Sequence, residues 1–157
     1  MPHASFQASC SMCNRLATAA VGPVFENELW HVRPIDAPSG VPGWMMLVAR
    51  RHVPGPSHFD EREVHSFGPT WCHLQRVLLE VTGALRIYTA ALDESSPHFH
   101  GHLVPRYAQM PKDAKGWSVF DLERAAKAGE IQNDPAEVAR ITLAFEQALR
   151  LQPPPSP

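Results

Sequence analysis

Three histidines alternate within five residues of the segment Pro97-His98-Phe99-His100-Gly101-His102. On an extended strand side chains alternate between faces, so His98, His100 and His102 share one face. Phe99, Gly101 and Leu103 then point the other way, into a core. Three imidazoles on one face suit nucleophilic or proton-transfer chemistry near pH 7, where imidazole changes charge. Two plainer readings stand beside that one. The face could hold a metal through three histidines, or the histidines could be satisfied surface residues.

A second group of reactive side chains is Cys10-x-x-Cys13. With Cys72 the count is three, and an odd count argues against a disulfide framework. The pair reads as a metal or redox site in a reducing compartment. A redox dithiol usually opens a helix in a βαβ setting, which this chain lacks. Cysteines left over in a frayed terminus are the bland alternative. Cys72, on the flank of a helical stripe, is expected to be a small buried hydrophobe. His3, His31, His58, His65 and His73 match no partner pattern and read as surface or helix residues. Arg50 and Arg51 suit a phosphate contact or a solvated pair equally well.

The elements that must position these groups follow from periodicity. Residues 24–26 and 29–32 form two short strands about a turn. Pro34, Pro38, Gly40, Pro42 and Gly43 then break the chain into a loop. Residues 44–49 are a continuous apolar run, short enough to be a strand buried on both faces, and end in Arg50-Arg51-His52. Asp60 with Glu63 makes an N-terminal cap for a helix over 60–82, and Gly83 is a fitting stop. Val64, Phe67, Trp71, Leu74, Leu78 and Val81 form its buried stripe. Gly68-Pro69 lies inside the run and predicts a kink or a late start. Residues 85–92 and 98–106 are strands separated by the polar Asp93-Glu94-Ser95-Ser96. A final helix opens at Asp134 with Pro135 first, and buries Val138, Ile141, Phe145 and Ala148.

Strands early and late with one long helix between them give the α+β class, an antiparallel sheet of about five strands with both helices packed on it. Residues 1–152 are expected to form one domain, followed by a mobile Pro-rich tail over 153–157. The chain is 44% hydrophobic and 19% charged with a net charge of -2, an ordinary balance for a soluble domain. That charge gives no case for a nucleic-acid or membrane-surface binder, so a polyanionic substrate needs a local site. No stretch approaches the roughly 20 apolar residues of a membrane helix. Residues 1–11 lack a basic region and an apolar block, so the expected location is the cytoplasm.

His98-x-His100-x-His102 followed by Leu103-Val104 and Pro105-Arg106 resembles the motif of the histidine triad superfamily, in the form common in bacterial members. Pro42-Gly43-Trp44-Met45-Met46-Leu47-Val48-Ala49-Arg50-Arg51-His52-Val53 resembles that superfamily's Pro-Gly-His strand, without a gap. The likeness runs from Cys10 through Arg106. It implies a histidine-triad-like fold and an enzyme acting at the α-phosphate of a purine nucleotide or dinucleotide. The activity implied is hydrolysis or nucleotidyl transfer on a phosphoester, phosphoanhydride or phosphoramidate. In the superfamily the middle histidine attacks phosphorus, and water or another acceptor resolves the nucleotidyl-histidine. That makes His100 the implied nucleophile and His102 the implied donor to the phosphoryl oxygens or leaving group, aided by Ser95 or Ser96. Zinc-bearing members imply a structural zinc on Cys10, Cys13, His52 and His98, a closed tetrahedral set. Members commonly form homodimers through the long helix and the adjacent strand.

The chain also departs from the pattern. Trp44 stands where the superfamily has histidine, which removes a polar contact near the nucleotide. Glu94 replaces a glutamine; its carboxylate repels polyphosphate unless it is protonated or turned away, or serves as an acid with a raised pKa. Gly101 replaces an apolar residue and is expected to weaken its strand slightly. Asp36 falls near a ribose-binding aspartate. These departures keep a second reading open, a catalytically weak nucleotide-binding protein that retains the fold and the zinc.

Overall fold

The apolar run after Trp44 is a strand, β3 (Met45–Ala49), with every residue buried, as a central strand covered on both faces requires. The computed structural model describes residues 3–18, 22–92, 94 and 96–156. Before β3 come α1 (Ser11–Thr18), β1 (Phe25–Glu26) and β2 (Trp30–Pro34). After it come α2 (Glu61–Thr82), β4 (Arg86–Ala90), β5 (His100–Arg106), α3 (Val119–Lys127) and α4 (Pro135–Leu151). The strands pair antiparallel in the order β1-β2-β3-β5-β4, so the architecture is the α+β sheet that the sequence predicts.

Asp60 and Glu63 cap α2 reciprocally: each side chain accepts from the other's backbone N–H at 2.9 Å. Gly83 closes the helix in the left-handed conformation at φ 61. The helix starts at Glu61 and continues through Pro69, so the late start does not occur. Proline frees the carbonyl of His65 four residues back, and His65, Gly68 and Pro69 are all exposed, so the proline costs no buried hydrogen bond.

The buried face of α2 also differs from the expected stripe. Val64 is exposed, and Glu63, Ser66, Thr70 and His73 are buried instead. Partners make this tolerable: Trp30 Nε1 donates to Ser66 Oγ at 2.9 Å, Arg51 to Glu63 at 2.6 Å, and His73 Nε2 to the Gln152 carbonyl at 2.8 Å. Cys72 is exposed rather than buried, because the face turns inward at the next residue. His31, read as a surface residue, is buried on β2 with Nδ1 donating to Glu26 at 2.9 Å.

Phe99 and Leu103 enter a core with Trp30, Met45, Leu47, Leu74, Leu78 and Phe145. Between them, a Cβ at Gly101 would lie 2.5 Å from the Trp71 ring. Gly101 is thus the seat of an indole, and Trp71 supplies the packing that the strand lacks. Gly101→Val is expected to overpack this contact and cost about 1–3 kcal/mol. A urea titration reads it; an unchanged midpoint would mean that Trp71 moves aside freely.

Neither α1 nor α3 is expected from the sequence. α3 docks on the loop before β3 through Gly40, where a Cβ would lie 2.4 Å from the Leu122 and Glu123 backbone. Gly40 N–H donates to Glu123 Oε2 at 2.7 Å. This contact carries Phe120 over the histidine face. In α4 the buried residues are Ile141, Phe145 and Leu149, with Val138 and Ala148 half-buried. Within the Pro-rich tail, Pro154 is buried and its described neighbours Pro153, Pro155 and Ser156 are exposed.

Candidate active site and metal centre

β5 begins at His100, so His98 lies just ahead of the strand rather than on its face. It is fully buried, and its Nε2 donates to the Ala49 carbonyl at 2.7 Å. The lone pair of the neutral ring is therefore on Nδ1, which lies 3.3 Å from Cys13 Sγ and 3.6 Å from Cys10 Sγ. His52, just beyond β3, brings its Nδ1 to 3.4 Å from Cys13 Sγ. All four donor atoms lie within 4.8 Å of one another. With zinc bonds of about 2.3 Å to sulfur and 2.0–2.1 Å to nitrogen, tetrahedral geometry sets each S···N edge near 3.5 Å. The three distances above, 3.3 to 3.6 Å, bracket that edge, so the donor set fits a metal ion of this kind.

Burial pushes the Cys10 thiol up, but the Cys13 amide and the Ser96 hydroxyl outweigh it and leave Cys10 lowered. Burial raises Cys13, and the adjacent Cys10 sulfur adds to that. Two thiolates side by side repel, so a dication suits this pair.

The second centre is built on the same residue. His100, half-buried, donates from Nδ1 to the His98 carbonyl at 2.8 Å, so the lone pair of neutral His100 is on Nε2. Its ring lies 5.5 Å from that of His102. Trp44 Nε1 donates to His102 Nδ1 at 3.0 Å. Burial pushes His102 down to about 4, with His100 and Lys127 adding to the effect. His102 is accordingly neutral at pH 7. Phe120 stands edge-on to both Trp44 and His102, at 5.2 and 5.4 Å. Beside it a cavity of about 120 Å³ is lined by Tyr88, Ala90, Val104, Trp117, Val119 and Phe120, with Trp117 67% exposed.

The remaining sequence candidates are scattered. Ser96 is buried and turned to the cysteines, 3.7 Å from Cys10 Sγ, and accepts from Ser11 Oγ at 3.3 Å. Ser95 lies outside the described residues. Glu94 is exposed. Asp36 is engaged by Arg33 at 2.7 Å and by Arg15. Arg50 pairs with Glu26 at 3.1 Å and Arg51 with Glu63, so both arginines have carboxylate partners.

Solved structures resemble this architecture over most of its length. A Hit-like protein involved in cell-cycle regulation from Bartonella henselae matches with a TM-score of 0.65 at 12% identity, over 92% of this chain and 99% of its own. A zinc-bound histidine triad family protein from Mycobacterium smegmatis matches at 0.61 and 17%, over 92% and 98%. A histidine triad protein from Bradyrhizobium japonicum matches at 0.63 and 23%, over 80% and 88%. The fold is the histidine triad fold. No family model and no curated protein matches the chain.

Within the histidine triad fold, sequence reading missed Phe120 and Lys127 near His102, and Trp117 stacked on Phe120. A signal existed, because Val119, Glu123 and Ala126 of α3 step by four and three. Glu123 in the middle of that stripe disguised it as polar.

Proposed function

We propose that this chain is a member of the histidine triad superfamily, a nucleotidyl hydrolase or transferase that works through a covalent nucleotidyl-His100. One observation carries the reading: the His98 carbonyl holds the Nδ1 proton of His100, which leaves Nε2 as the nucleophilic nitrogen. Nε2 attacks the α-phosphorus, and the bond to the leaving group breaks with its electron pair. The imidazolium charge that develops on His100 is shared with the same carbonyl. His102 donates from Nε2 to a phosphoryl oxygen as charge grows there. Water or another acceptor then attacks phosphorus, and the P–N electron pair returns to Nε2.

Cys10, Cys13, His52 and His98 are the residues that would hold a structural zinc. With four protein ligands it would supply no substrate chemistry, only anchorage of His98 and its carbonyl. The zinc-bound Mycobacterium smegmatis neighbour supports that reading.

The cavity beside Phe120 has an apolar, aromatic lining that suits the flat ring of a purine nucleoside rather than a phosphate. Trp117→Ala is expected to raise KM by about 5- to 150-fold, the loss of roughly 1–3 kcal/mol of base stacking. An unchanged KM would put the ring elsewhere.

The experiment that tests the function is a panel of AMP derivatives followed by chromatographic release of AMP: a dinucleoside polyphosphate, a phosphoramidate and a nucleotide sugar. Turnover of at least one member is expected. A second reading, binding with little turnover, is favoured by Trp44 in place of histidine, and calorimetric binding without AMP release on every member would establish it.

We infer a homodimer formed through α2 and the edge strand β4, where Val64 and Leu79 of α2 and Leu85 just ahead of β4 are exposed. Sedimentation as a 17.4 kDa monomer at micromolar concentration would count against it. Among the described residues no helix is long and apolar enough to cross a membrane. A cytoplasmic location suits free thiols at the metal centre.

A further inference from the structure

Trp44 changes what His102 is able to do. The indole nitrogen donates and never accepts, so the 3.0 Å contact obliges His102 Nδ1 to keep its lone pair. The one proton of the neutral ring is then on Nε2. Trp44 is 1% exposed and edge-on to both His102 and Phe120, so no water takes its place. Among the described residues, the elements around His102 present groups that are neutral toward a second proton or oppose it. β3 and β4 present Met46 and Ala90 in register with it. β5 presents His100 and α3 presents Lys127, a titratable base and a cation that both oppose a positive His102. The Lys127 ammonium pairs with Glu123 at 3.2 Å.

We propose that Trp44 holds His102 as a neutral Nε2–H donor, so that the site takes nucleotidyl groups only from substrates whose leaving group departs as a stable oxyanion. This deepens the nucleotidyl reading and rests on it. In the first half-reaction the His100 Nε2–P bond forms and the P–O bond breaks, with the electron pair leaving on oxygen. A phosphate-type oxygen keeps that pair near pH 7 without a proton. An amine or alkoxide needs one, and a neutral imidazole supplies it only by becoming an imidazolate, which is prohibitive. His102 can therefore stabilise phosphoryl charge but cannot serve as the general acid. Phosphoanhydrides are the substrate class that follows, and phosphoramidates and alkyl esters are disfavoured. Trp44 is in this sense a positioning residue that sets specificity through His102.

The test uses the full chain and aryl esters of AMP graded from p-nitrophenyl to phenyl, with adenosine 5′-phosphoramidate as the amine case. In the wild type kcat/KM is expected to fall steeply along the series, by about 10²–10⁴ from best to worst, the range a general acid would otherwise recover. Trp44→Phe returns a proton site to Nδ1, so the spread should narrow, most of all at acid pH. Nitrogen-15 NMR of the histidines reads the cause directly. The wild type should show His102 protonated on Nε2 alone, down to a pH of about 4. Both wild-type measurements stand even if Trp44→Phe does not fold. A flat dependence on the leaving group with normal labelling of His100 overturns the proposal, as does a proton on Nδ1 at neutral pH. If no ester labels His100, the nucleotidyl reading itself falls and the substrate class falls with it. The NMR result still decides whether Trp44 holds the ring.

Discussion

His100→Ala is expected to cut kcat by roughly 10⁴–10⁶, the scale of losing a covalent nucleophile, while fold and nucleotide binding persist. The imidazole sits half-buried at the start of β5, and a hydrogen bond such as that to the His98 carbonyl is worth about 1 kcal/mol. The loss should therefore be chemical rather than structural. His102→Ala should cost less, about 10²–10³, as for a single removed oxyanion donor. A half-reaction trap separates the two roles. Substrate labelled in its α-phosphate should tag the wild type with an acid-sensitive adduct and leave His100→Ala untagged. His102→Ala should still take the label, more slowly. Label that persists in His100→Ala, or near-normal turnover by that variant, would show that the nucleophile lies elsewhere.

Much of this arrangement is legible in the chain because the responsible signals are local. The alternation of Phe99, Gly101 and Leu103 with His100 and His102 is a property of strand geometry and needs no tertiary information. The cap at Asp60 and Glu63 is equally local. What escaped is set by contacts distant in sequence. Trp44 reads as a lost polar contact until β3 and β5 pair, at which point its N–H meets a nitrogen 58 residues away. Gly101 reads as a weak strand residue until Trp71 of α2 fills its place. His98 appears on the histidine face only if the strand starts at it. The pull of Ala49 and the cysteines keeps it off the strand, so a single alternating motif is divided between two centres.

Loss of the metal centre should have the largest effect on stability. Protein purified without added metal is expected to carry one zinc per chain by elemental analysis. Cys13→Ser should abolish that zinc and lower Tm together. The centre joins α1 to the ends of β3 and β5, so its free energy is partly folding free energy, bounded above by the about 10–16 kcal/mol of a zinc-finger peptide. The hydrophobic core under α2 and α4 does not touch the cysteines, so the expected cost is a fraction of that bound, several kcal/mol. The pH dependence has a definite sign, because zinc requires thiolates and neutral imidazoles. Acid should release the metal by protonating them, and stability should fall with it. Cys72→Ser is the control, since that thiol is exposed and outside the cluster, and it should keep both zinc and Tm. Activity should fall in Cys13→Ser as well, because a displaced His98 no longer aims its carbonyl at His100 Nδ1. A zinc content near zero in the wild type, or a Cys13→Ser protein with unchanged Tm, would mean that the four side chains hold together without a metal.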